Sequence, residues 1–119
     1  MKDIESRKDI ELIVHSFYDK LLASSFLLPI FKNLDLAHHL PIVINFWENM
    51  LFQTGNYGGG MMWVHLQVNQ KTPLSAEHFE HWLALFYRTL DENFEGKNVE
   101  FMKKKSLEIG QIMNAKMQQ

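Results

Sequence analysis

Apolar side chains recur along this chain at spacings of three and four residues, and strand-like alternation persists nowhere. Ile10, Ile13, Val14, Phe17 and Leu21 lie 3, 4, 7 and 11 residues beyond the first of them, one buried face of a helix that ends near Ser24 or Ser25. Tyr18 stands at the edge of that face, about 40° round from Val14 at 100° per residue. Ser6 and Asp9 resemble a capping pair ahead of it. Pro29 interrupts the pattern, so Leu28-Pro29-Ile30-Phe31 reads as a short connecting turn.

A second helix is expected from about Leu36 to Thr54, with Leu40, Val43, Ile44, Trp47, Met50 and Leu51 as its apolar stripe. His39 shares a face with Val43, Phe46, Trp47 and Met50, whereas His38 points about 100° away toward solvent. Pro41 is cheap only in a first helical turn, which puts the start of regular helix near residue 39 or 40. Residues 55–60 form a Gly-rich loop, followed by a short apolar piece, Met61-Met62-Trp63-Val64-His65-Leu66, and polar chain up to Pro73. Ser75 is a good N-cap for a third long helix carrying Phe79, Trp82, Leu83, Phe86, Leu90 and Phe94, which Gly96 ends. Asn98 can cap a last helix with Met102, Ile109, Ile112, Met113 and Met117 inward and Gly110 as a soft spot. The fold class is all-α, and 119 residues make one domain, 1–119.

Composition removes several functions. Twelve Lys+Arg against 14 Asp+Glu give a formal charge of −2 and no electrostatic footprint for nucleic acid. With no Cys there are no disulfides, thiolate zinc sites, iron–sulfur clusters or C-x-x-C-H haem attachment, in keeping with a reducing cytoplasm. No apolar run approaches the length of a membrane span, and the charged start Met1-Lys2-Asp3-Ile4-Glu5 lacks the apolar region of a signal peptide. Walker, G-x-G-x-x-G, G-x-S-x-G and H-E-x-x-H motifs are missing. His78 and His81 fall on one helix side, but no carboxylates recur at matching spacing, so they read as flanks of a buried face. His65, in its short apolar segment, is either core filler or a ligand, and His39 has the same two readings. Tyr18, Phe31, His39, His65 and Trp82 lie on every element that would meet in the middle of a small helical bundle.

At these residues the sequence resembles the truncated haemoglobins, most of all group III. The matching stretches are Phe17-Tyr18-Asp19-Lys20, Leu28-Pro29-Ile30-Phe31, Asn45-Phe46-Trp47, Gly55-Asn56-Tyr57-Gly58, Val64-His65-Leu66 and Phe79-Glu80-His81-Trp82-Leu83-Ala84-Leu85-Phe86. The group's lack of a glycine pair near the first helices is also met, since no Gly precedes Gly55.

The resemblance implies a two-over-two helical sandwich around non-covalent haem b. It makes His65 the proximal iron ligand, and Tyr18 and Trp82 the distal hydrogen-bond donors. His39 becomes the distal-helix histidine and Phe31 the ring packed on the haem face. Val43, Trp47, Met62 and Phe86 become further cofactor contacts. The implied ligands are O2, NO or CO, with slow O2 release. The alternatives are an NO dioxygenase or peroxidase-like enzyme fed by an external reductase, a gas or redox sensor, or a haem-free helical interaction domain. A His65→Ala chain is expected to purify without a Soret band unless imidazole is added; a full-strength band overturns His65 as the iron ligand.

Overall fold

The computed structural model describes residues 1–32, 34–55 and 75–117, less the side chains of 113, 114, 116 and 117. They form α1 (Arg7–Ala23), α2 (Leu28–Phe31), α3 (Leu36–Phe52), α4 (Ala76–Asn93) and α5 (Lys97–Met117), with no strand among the described residues. None of these helices is long and apolar enough to cross a membrane.

The centre of the arrangement is α1, which packs against α3 on one side and α4 on another, while α5 packs on α4. The reason is the expected apolar face: Ile10, Ile13, Val14, Phe17 and Leu21 are all buried, and Tyr18 with them. Val43, Ile44 and Trp47 meet it from α3, and Phe86 and Leu90 complete the core from α4. Charged pairs tie the same helices at the rim. Arg7 donates to Glu48 at 2.9 Å and to Asn45 at 2.8 Å, and Lys20 reaches Glu92 at 3.1 Å.

Helix ends depart from the sequence reading in instructive ways. Residues 28–31 form a single helical turn rather than a bare connection, with Pro29 where a missing N–H costs nothing. The second long helix begins at Leu36, not at 39 or 40, with Asp35 as its N-cap, and Pro41 lies inside it. Pro41 removes one bond, the one its N–H would have given the carbonyl of Ala37. Three apolar residues buried further along, Val43, Ile44 and Trp47, with His39, outweigh that loss. At α1 the hydroxyl of Ser6 makes no cap; Asp9 instead accepts from the Glu5 N–H at 2.8 Å and from Lys2 at 2.8 Å. At α4 the cap is as read: Ser75 and His78 form a reciprocal capping box.

The start of α5 differs most. Asn98 is not its cap but stands in its first turn. The cap is Asp3, from the far end of the sequence: its carboxylate accepts from the Asn98 N–H at 3.0 Å and the Val99 N–H at 3.3 Å. The Asn98 amide returns a bond to the Ile4 carbonyl at 2.7 Å. Gly96, at φ +140°, lets the two segments approach, since a Cβ there would stand 2.5 Å from Asp3 Cγ. Along α5, Met102 is buried and Ile109 half-buried, but Ile112 is 53% exposed rather than inward. The expected inward side chains Met113 and Met117 lie outside the described residues. Gly110 is buried at ordinary contact distance from Leu83, 3.7 Å from where its Cβ would be.

Removing the Asp3 carboxylate by Asp3→Ala leaves two orphan N–H groups at the start of α5 and is expected to cost about 1 kcal/mol of unfolding free energy. Urea denaturation measures it, and an unchanged midpoint contradicts the capping role.

Candidate functional site

The buried polar group that organises the middle of the bundle is the Tyr18 phenol. Its position at the edge of the α1 face carries the hydroxyl inward toward α3, where it hydrogen-bonds His39 Nε2. Both residues are nearly sealed from solvent, Tyr18 at 5% exposure and His39 at 4%. His39 therefore turns inward even though Pro41 follows two residues later. Their rings meet edge to face, with centroids 5.3 Å apart. Phe31, brought in by the α2 turn, stands perpendicular to Tyr18 at 6.2 Å.

Beside this pair lies an aromatic wall. The Phe86 ring is stacked between Trp47, at 5.6 Å and 20°, and Trp82, at 5.8 Å and 11°. Phe17 stands edge-on to both Phe86, at 5.0 Å, and Trp82, at 5.5 Å. Each such contact contributes about 0.5–1.5 kcal/mol beyond its burial. Between the wall and Tyr18 a cleft encloses about 20 Å³, room for one small molecule, lined by Val14, Phe17, Tyr18, Val43, Phe46, Trp47, Trp82, Phe86 and Ile109. Among the described residues no charged side chain lines it.

Of the residues singled out in the sequence, Tyr18, Phe31, His39, Val43, Trp47, Trp82 and Phe86 converge on this region. Six of them are buried and Trp82 is half-buried. His65 and Met62 lie outside the described residues. Val14, Phe17, Phe46 and Ile109 also line the cleft and were read only as packing. For three of them the signal was present: Val14 is one turn from Tyr18, Phe17 adjoins it, and Phe46 is one turn from Val43. Ile109 comes from the last helix, and nothing local in its sequence pairs it with α1.

The paired histidines of α4 behave as structural groups. His78 and His81 each pack on Phe26 with centroids 4.6 Å apart. Among the described residues no three metal-ligating side chains come together.

Over nearly its whole length the backbone superimposes on a group III truncated hemoglobin from Campylobacter jejuni, with a TM-score of 0.83 over 98% of this chain and 95% of that one, at 26% sequence identity. The fold is that of a truncated haemoglobin. No protein-family model and no curated protein matches the sequence. The all-α class expected from the helical periodicity, and the truncated-globin architecture that the resemblance implies, are thus borne out, on a sequence that has diverged widely from this neighbour. Within this truncated-haemoglobin fold, α1, α3 and α4 bring the Tyr18 hydroxyl, the His39 imidazole and the Trp47–Phe86–Trp82 stack into one place.

Burial pushes the Tyr18 phenol far above the ordinary tyrosine range, because a phenolate there would lose its hydration. The hydroxyl thus stays protonated. In an unfolded chain the same phenol ionises near pH 10. Its contribution to stability is therefore intact below about pH 10 and is lost as pH rises from there toward the raised folded value. Unfolding free energy is expected to fall by about 1.4 kcal/mol more per pH unit in the native chain than in Tyr18→Phe above that point. Parallel slopes in the two proteins would show that the phenol is not held neutral.

Proposed function

We propose that this chain is a globin-type haem protein that binds a diatomic gas, O2, NO or CO, in the cleft beside Tyr18, and that its 119 residues form one globin unit. The observation that carries the reading is a buried, protonated phenol bonded to an imidazole at the edge of an aromatic cleft. The match to a group III truncated hemoglobin supports the same reading.

The chemistry of the lining fits the cofactor. Haem is flat and apolar over most of its area, and Phe31, Val43, Trp47, Trp82 and Phe86 offer aromatic and aliphatic walls for it. Met62 would add to those walls, and His65, as a neutral imidazole, would hold the iron. Non-covalent haem b would supply an iron centre able to take a diatomic ligand.

The remaining work belongs to the protein. A ligand that gains negative character on binding is stabilised by donors, and Tyr18 and Trp82 are the two donors at hand. His39 acts through Tyr18. When its Nε2 carries a proton and donates to the phenol oxygen, the Tyr18 O–H is released to face the ligand. When Nε2 is bare, it accepts the phenol O–H and turns that donor away from the ligand. His39 is thus a positioning residue for the donor. Exclusion of water from the apolar cleft strengthens each of these bonds.

Each donor contributes about 1–1.5 kcal/mol, roughly a factor of ten in release rate. Tyr18→Phe is expected to speed O2 dissociation about tenfold in a stopped-flow displacement experiment with CO. A rate equal to that of the native protein overturns the role of the phenol.

A further inference from the structure

We propose that the cap at the start of α4 is a pH-sensitive latch: neutral His78 holds the helical turn that leads to Trp82, and protonated His78 releases it. The latch needs no cofactor and does not rest on the function proposed above.

His78 occupies the third position of α4, where a capping box ordinarily carries Glu or Gln. Its Nδ1 accepts from the Ser75 backbone N–H at 2.9 Å and lies 2.9 Å from Ser75 Oγ. Ser75 Oγ in turn accepts from the His78 backbone N–H at 3.3 Å. A backbone N–H can only donate, so Nδ1 must present a lone pair and the ring proton must sit on Nε2. A second proton sets a donor against a donor. It also places a positive charge in the first turn of a helix, where the aligned peptide dipoles oppose it. A glutamine in the same position has no such state.

Among the described residues no anion in contact compensates that charge. On its own helix, His78 has Glu77 and His81 as neighbours. From the turn at 24–27 it meets Phe26, which stacks on it at 4.6 Å and 13° and also touches His81, flanked there by uncharged Ser24 and Ser25. Among the described residues neither imidazole joins an ion pair. The Phe26 face keeps the ring in place without requiring its charge. Trp82 lies four residues on, one turn along the same helix, and is the outer ring of the stack that walls the cleft. Loss of the cap therefore reaches the cleft through the first turn of α4.

Nitrogen-15 NMR of the full-length chain between pH 8 and pH 5 tests this. At pH 8 the His78 Nδ1 signal is expected in the range of an unprotonated ring nitrogen. On acidification the Ser75 amide and the Trp82 indole should move with the midpoint of His78 itself. In His78→Gln both responses should vanish, and in His81→Gln both should remain. A Ser75 amide that does not titrate overturns the latch. So does the same titration in His78→Gln, or an indole that stays still while Ser75 moves.

Discussion

A hydroxyl taken out of water among aromatic rings must find a hydrogen-bond partner or destabilise the fold by several kcal/mol. Tyr18 meets that requirement through His39. The bond joins α1 to α3 across 21 residues of sequence and sets how the two helices sit against each other. With that distance and rotation fixed, Phe17 faces α4 and stands edge-on to Trp82 and Phe86. The polar pair and the aromatic wall are thus two sides of one packing arrangement, and the cleft between them is its consequence.

The same arrangement explains what the sequence discloses. Helical phase along α1 is enough to bury Ile10, Ile13, Val14 and Phe17, because burial there depends only on which face points inward. Phase also sets Tyr18 at the edge of the face and His39 inside the α3 stripe. The likeness to a known family then supplies the idea that the two belong together. What phase does not contain is which faces meet: Ile109 reaches the cleft because α5 packs on α4, and no spacing within α5 encodes that. Ile112 illustrates the converse. It continues the apolar rhythm of α5, yet its side chain stands more than half in solvent.

Helix boundaries were less legible than helix faces, for a related reason. Pro41 argues locally for a later start to α3, but the cost of one missing bond is small beside the burial of His39, Val43, Ile44 and Trp47. Local chemistry also nominated Asn98 as a cap, when the group that performs the task lies 95 residues away. The cap read correctly in detail, Ser75, is the one whose partner, His78, is only three residues distant.

The long reach of Asp3 bears on the order in which the molecule assembles. During synthesis the amino-terminal segment is exposed long before α5 exists, so the cap waits for its helix rather than the reverse. Closing so long a loop carries a large entropy cost, which is met only once the intervening helices have already drawn the two segments together. The junction at Asp3, Gly96 and Asn98 should accordingly be among the last contacts to form and the first to open. A fault there would loosen α5 while leaving the α1–α3 pairing around Tyr18 in place.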